Sequence, residues 1–344
     1  MPNRPLHIVI LAAGKGTRMR SDRSKVLHRL AGRPLIDHVL DASSALSPAS
    51  VTVIVGHQAE SVREALAGRN CEFVTQEPQI GTGHALLQAE SALSGANGDV
   101  LLLSGDVPMI RSATIEGLLK AHRAAGAAAT VLTAEVDPPE GYGRIVRDAS
   151  GAMTRIVEHR DATAEEREIR EINSGIYVFD LAPLFPALRR IGSSNAQGEY
   201  YLPDLIALYT AQGLTVATMT LPNGDEIKGV NSRIELAALS RDMRLRKCEE
   251  LMRAGVTIED PATTYIDATV EIGADTTIHP NVSLQGRTRI GARCEILSGS
   301  RLSNATVADD VLIRDHSIVL DSSIEAKATV GPFAHIRPGS SVGA

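Results

Sequence analysis

The sequence predicts two folds in series, an α/β domain on a mostly parallel sheet followed by a parallel β-helix. Three observations carry this. Short apolar runs alternate with amphipathic stretches through roughly the first two thirds of the chain. Ser232 and Glu235 then stand at capping-box spacing ahead of a long charged segment. Beyond Pro261, aliphatic residues recur every six positions.

In chain order, strands are predicted at His7–Ala12, Val51–Val55, Glu72–Thr75 and Val100–Leu103. Helical candidates lie between them, near 34–45, 59–67, 83–93 and 112–124. Strands separated by helices of this length need crossover connections, hence a mostly parallel sheet. Such sheets bind ligands at the carboxyl ends of their strands, which singles out the loops after Ala12, Thr75 and Leu103. The capping box then predicts a helix running to about Ala254.

The six-residue ladder reads Ile272, Ile278, Leu284, Ile290, Ile296 and Leu302. It slips by one residue to Val307 and Ile313, and again to Ile318, Ile324, Val330, Ile336 and Val342. Glycines at 273, 291, 331 and 343 follow ladder positions, where a corner demands a small residue or a positive φ. This is the pattern of a parallel β-helix whose rungs stack.

Composition narrows the function. The chain has 344 residues, 43% of them hydrophobic, and a net charge of -6. An acidic balance argues against nucleic acid as the main partner. Cys71, Cys248 and Cys294 form neither a disulfide framework nor a zinc spacing. No apolar run has the length of a membrane helix. The run from Leu6 to Ala13 ends in Gly-Lys-Gly-Thr-Arg, too short and wrongly flanked for a signal peptide. A cytoplasmic protein that does not enter a membrane is expected.

The loop after the first strand, Leu11-Ala-Ala-Gly-Lys-Gly-Thr-Arg-Met19, is rich in glycine and is followed by Lys25. Gly14 and Gly16 let backbone N–H groups approach a phosphate chain, and Lys15, Arg18 and Lys25 bring positive charge. It is neither a dinucleotide fingerprint, since Met19 replaces the third glycine, nor a Walker loop. On its own it also fits a purely structural turn.

Further segments follow in order: Gln76 with Gly81-Thr-Gly-His-Ala85, Gly105-Asp-Val-Pro108, Gly141-Tyr-Gly-Arg-Ile145, Ile156-Val-Glu-His159, Glu171-Ile-Asn-Ser-Gly175, Asn195-Ala-Gln-Gly-Glu-Tyr-Tyr201 and Gly229-Val-Asn231. With the glycine loop and Lys25-Val-Leu-His28, this series resembles the sugar nucleotidylyltransferases. More narrowly, it resembles the bacterial bifunctional N-acetylglucosamine-1-phosphate uridylyltransferase/glucosamine-1-phosphate acetyltransferases. The resemblance spans the transferase segments and the hexapeptide ladder.

It implies a Rossmann-like nucleotidylyltransferase domain over residues 1–231, a connecting helix and linker over 232–262, and a left-handed β-helix over 263–344 that stops partway. It implies UTP and N-acetylglucosamine 1-phosphate as substrates, Mg2+ as cofactor and a homotrimer. Leu11, Ala12, Ala13 and Gly14 would lie along the nucleotide, and Gln76, Gly81 and Thr82 would read the uracil edge. Arg18 and Lys25 would hold phosphates. Asp106 and Asn231 would ligate the metal, with Asn231 also touching substrate. Gly143, Glu158, Asn173 and Thr82 would position the sugar and its acetamido group. Arg337 would belong to a second, acetyl-transferring site. That site's general-base histidine and coenzyme-binding coils would lie beyond Ala344, so no acetyl transfer is expected of this chain.

Each side chain also has an ordinary structural reading: Asp106 in a turn, Asn231 beside a helix cap, Glu158 as a strand-end charge. Ser104 and Arg160 depart from the residues some relatives carry there (Tyr and Lys), which bears on sugar affinity. A related enzyme using ATP or dTTP with glucose 1-phosphate, and a catalytically silent scaffold, are the competing readings. The segments at Gln76–His84 and Asn195–Tyr201 disfavour the first, and the presence of Lys25, Asp106 and Asn231 the second.

Overall fold

The computed structural model describes residues 4–343; the expected end of the chain at Ala344 falls outside them. Contacts divide these residues into two units, one of 4–28 with 35–232 and the other of 29–34 with 233–343.

In the first unit, the strands run Val216–Leu221, Ala129–Glu135, Glu171–Asp180, Asp99–Ser104, Leu6–Ala12, Ser50–Val55 and Glu72–Thr75 across one sheet. Pairings among the last four are parallel. Their central strands are apolar on both faces, as a sheet covered by helices requires. Leu35–Ser44, Ala59–Ala65, Thr82–Leu87 and Ser112–Ala125 form the crossover helices close to the expected positions. The Glu171–Asp180 strand enters antiparallel between Asp99–Ser104 and Ala129–Glu135. It also receives the small hairpin of Arg144–Arg147 and Met153–Val157. Two cores result, one on each face of the sheet.

In the second unit, the helix Arg233–Arg253 leads into three columns of five short parallel strands each. Each column stacks every third strand, so Ile278 pairs with Ile296, then Ile313, then Val330. The ladder residues point inward and form a core of their own. One expected position is corrected. Ile318 faces outward and is half-exposed, while Val319 is fully buried and pairs in register with Leu302 and Ile336. The second slip therefore falls between Val319 and Ile324. Alternation along the Ile318–Leu320 strand leaves room inside for only its middle residue.

A second inward position precedes each ladder residue by two and takes small side chains, among them Thr276, Thr288, Cys294, Ser300, Ala305 and Ala328. The corners are turned by left-handed residues in stacks, one of them Asp275, Arg293, Asp310 and Lys327. Gly273 and Gly291 serve a different need. Neither has a positive φ, but a Cβ at Gly273 would lie 2.7 Å from the backbone of the next coil. The hairpin of Arg29–Leu30 and Arg33–Pro34 packs within this unit, where the Ala268 N–H donates to the Ala31 carbonyl at 3.2 Å.

The register makes a stability prediction. Ile296→Ala, at a fully buried rung, should cost about 2–5 kcal/mol of β-helix stability. Ile318→Ala should cost far less. Thermal unfolding of the two variants checks this, and equal losses would restore Ile318 to the core.

Candidate active site

Leu6–Ala12, Glu72–Thr75 and Asp99–Ser104 end at one edge of the sheet, with Leu11 level with Ser104 and Ala12 level with Val55. Their loops enclose a cavity of about 490 Å3. Of the expected residues, the cavity is lined by Leu11, Ala12, Ala13, Gly14, Lys25, Gln76, Gly81, Thr82 and Asp106.

Local backbone chemistry explains the glycines. Gly16 takes φ 58°, and a Cβ there would lie 2.8 Å from Lys25 Cβ, so the loop folds against its own lysine only with glycine. Gly81 takes φ 118°, with the Tyr200 carbonyl 2.5 Å from where a Cβ would sit. Gly14 faces open space, leaving its backbone accessible to a ligand.

Gln76 is buried, and its Nε2 donates to the Gly81 carbonyl at 2.9 Å. With the amide nitrogen anchored, Gln76 Oε1 is the atom left to accept from a ligand N–H. Uracil offers one such donor between two carbonyls.

Lys25 Nζ donates to Asp106 Oδ2 and, at 3.2 Å, to Asn231 Oδ1. Asp106 and Asn231 meet because the Val230 N–H donates to the Asp106 carbonyl at 2.9 Å. Gly229 lies beside this junction: a Cβ built on it would stand 3.6 Å from Asp106 Oδ2, an ordinary contact distance. Two hard oxygens thus converge on one cation, here an ammonium. A carboxylate and an amide oxygen suit Mg2+, which takes few protein ligands and leaves the rest to water and phosphate. Among the described residues no group of three or more His, Cys, Asp or Glu gathers for a metal.

A second group forms on the antiparallel side. From a Cβ built on Gly143, Asn173 Cβ and Glu158 Oε1 are each 3.4 Å away, and the Asn173 N–H donates to the Gly143 carbonyl at 2.9 Å. Gly175, two residues along, approaches Ser104 of the cavity wall: a Cβ built on it would stand 3.8 Å from Ser104 Oγ. The two groups therefore adjoin. Burial, with Asp161 and Asp204 nearby, pushes the Glu158 carboxyl above its ordinary range, and Arg144 only partly opposes this.

Two expected residues stand apart. Arg18 is exposed and does not line the cavity. Arg337 is exposed on the β-helix, where its carbonyl accepts from Ser322 Oγ at 2.6 Å. Conversely, Lys15, Thr17, Gln79, Ser104 and Glu199 line the cavity with no substrate role expected of them beyond the charge of Lys15. Glu199 lies in the Asn195–Tyr201 segment singled out in the sequence, but its place on the cavity wall comes from the long-range docking of Tyr200 on Gly81.

Residues 8–175 match the family model of the MobA-like NTP transferase domain, and 261–344 that of the GMPPB C-terminal domain. The chain is 48% identical to the bifunctional protein GlmU of Pelobacter propionicus over 96% of this chain and 72% of that protein. It is 49% identical to the bifunctional protein GlmU of Exiguobacterium sibiricum, over 98% of this chain and 74% of the relative. The chain belongs to the GlmU family. The bifunctional protein GlmU of Listeria monocytogenes, at 47% identity, is similarly covered, over 73% of its length. As a member of the GlmU family with the NTP transferase domain, the chain is an N-acetylglucosamine-1-phosphate uridylyltransferase. No helix among the described residues is long and apolar enough to cross a membrane.

The Glu158 environment yields a signed prediction. Its folded carboxyl binds a proton more tightly than the unfolded one, so its ionisation costs stability as pH rises through the raised range. Glu158→Gln should therefore raise Tm near pH 8 and leave it nearly unchanged at about pH 3, below the unfolded carboxyl's range, where both states are protonated. A Tm gain independent of pH would show that the carboxyl's charge is not the cause.

Proposed function

We propose that the chain joins UTP and N-acetylglucosamine 1-phosphate into UDP-N-acetylglucosamine with release of pyrophosphate, in a Mg2+-dependent reaction at the Asp106–Asn231 pair. The observation that carries this is the convergence of Lys25, Asp106 and Asn231 beside a glycine-lined cavity. Asp106 and Asn231 would hold the metal, and its chemistry there is to neutralise charge on the phosphates.

The remaining work falls to the chain itself. A phosphate monoester is already an anionic nucleophile near neutral pH, so attack on the α-phosphate needs no general base. The barrier lies instead in bringing two polyanions together and stabilising charge that moves to the leaving pyrophosphate. Lys25 and Lys15 reduce that repulsion, and exposed Arg18 is placed to meet the outer phosphates only if the loop draws in. The backbone of Leu11–Gly14 gives the triphosphate a close approach. Gln76 Oε1 accepts the uracil N–H, which disfavours bases lacking a donor there. On the other side, Glu158 accepts and Asn173 donates, a pair complementary to the N–H and C=O of an acetamido group.

Asp106→Asn and Asn231→Ala should each lower turnover by about a hundredfold, the scale for losing one electrostatic contact to a transition state. Tm should change little, because both side chains are only half-buried. Pyrophosphate release at saturating Mg2+ is the assay, and near wild-type turnover would move the metal elsewhere. In the same assay glucosamine 1-phosphate should be the poorer acceptor by orders of magnitude, because it leaves Glu158 and Asn173 unmatched.

We also read the β-helix as trimeric, from the family resemblance.

A further inference from the structure

Asn173 and Tyr177 lie four residues apart on one strand, a separation of about 13 Å if the strand were regular. It is not regular. Its register against Ala129–Glu135 shifts between these two residues, and Gly175 takes φ 77°. Such bulges re-aim side chains, and this one brings the pair together. The Tyr177 hydroxyl bonds Asn173 Oδ1 at 2.9 Å.

The direction of that bond is fixed by a third group. The Gly175 backbone N–H, which can only donate, bonds the same Asn173 atom at 3.1 Å. That atom must therefore be the amide oxygen, and the phenol must be its second donor. Asn173 Nδ2 is turned the other way and has no protein acceptor among the described residues. The Tyr177 ring is itself immobilised. It is 1% exposed and stacks on Phe179 at 5.4 Å between centroids. Burial also drives its ionisation far above the ordinary phenol range, so it remains a donor at any working pH.

We propose that Tyr177 is a positioning residue for acceptor selection: its buried hydroxyl holds the Asn173 amide so that Nδ2 is offered to the acetyl carbonyl of the sugar phosphate. This rests on the acceptor reading given above. Tyr177 touches no substrate. It acts by removing the amide orientation in which an oxygen would face the acetyl oxygen. With the phenol gone, the Gly175 N–H alone opposes that rotation, and the site loses part of its preference for the acetylated sugar.

The test compares kcat/KM for N-acetylglucosamine 1-phosphate and for glucosamine 1-phosphate in the intact chain. Tyr177→Phe keeps the ring and its stacking. It should lower kcat/KM for the acetylated acceptor about tenfold, mainly through KM, consistent with one lost buried hydrogen bond. The KM for UTP and the rate with glucosamine 1-phosphate should stay within about twofold, because nothing they use has changed. In an Asn173→Ala background, Tyr177→Phe should alter selectivity no further, as coupled residues are non-additive.

Unchanged selectivity in Tyr177→Phe, or full additivity with Asn173→Ala, would overturn the positioning role while leaving the acceptor reading intact. A wild-type enzyme with no preference for the acetylated sugar would overturn both. If Tyr177→Phe lowered stability enough to confuse the kinetics, Asn173→Asp decides. It keeps the oxygen that faces Gly175 and Tyr177 but removes the Nδ2 donor, and retention of wild-type selectivity in that variant would reject the proposal.

Discussion

The Lys25 ammonium, shared between Asp106 and Asn231, is the interaction on which the site depends. It ties together three segments that are distant in sequence, Asp106 lying 81 positions and Asn231 206 positions after Lys25. Each segment reaches it by a separate device. The glycine loop folds onto Lys25 through Gly16, the Asp99–Ser104 strand delivers Asp106 at its carboxyl end, and the Val230 N–H draws Asn231 alongside. Lys25 and Asp106 each keep 16% of their side-chain surface exposed. A pair this close to water is cheap to separate compared with a fully buried one. In the proposed reaction the same oxygens would pass from an ammonium to a metal, and the same ammonium from a carboxylate to a phosphate, without uncovering a buried charge.

On the proposed reading, the sheet divides the labour of recognition. Its parallel half presents strand ends and glycine-rich loops, which suit phosphates because backbone N–H groups and lysines can approach closely. Its antiparallel insertion presents Gly143, Glu158 and Asn173, a carboxylate and an amide that suit a neutral polar group. The two halves adjoin at Ser104 and Gly175. Glu158 sits where its own ionisation is unfavourable, so recognition there opposes stability. The β-helix shares none of this chemistry, since its core is aliphatic and its small polar residues bond inward, as Thr276 Oγ1 does to the Gly291 carbonyl at 2.8 Å.

Much of this was legible in the sequence, for identifiable reasons. Parallel strands buried on both faces are continuous apolar runs, so Leu6–Ala12 and Asp99–Ser104 stand out. A rung such as Ile296 repeats at a period that no other fold enforces. Ile318 misled because an aliphatic residue beside another aliphatic residue does not say which faces inward; only the pairing of Val319 with Leu302 decides it. The small residues two places before each rung carry no pattern strong enough to see unaided. In the site, the strand-end loops located Gly14, Gln76 and Asp106, and the family resemblance supplied their roles. The Asn195–Tyr201 segment stood out, but the place of its Glu199 on the cavity wall did not, because that follows from Gly81 docking on Tyr200. Arg18 shows the reverse case: a cation near a phosphate loop in sequence that the fold leaves exposed.

We propose that Asp106 and Asn231 form a divalent-cation site completed by bound nucleotide. Mn2+ is a magnetic substitute for Mg2+, and its binding can be titrated by electron paramagnetic resonance in the presence of UTP. Wild-type protein should bind Mn2+ at this site only when UTP is present, and Asp106→Asn should weaken that binding by about tenfold or more, as loss of a charged ligand to a metal implies. Equal Mn2+ affinity in the wild type and Asp106→Asn, each with UTP bound, would place the metal elsewhere and contradict the account.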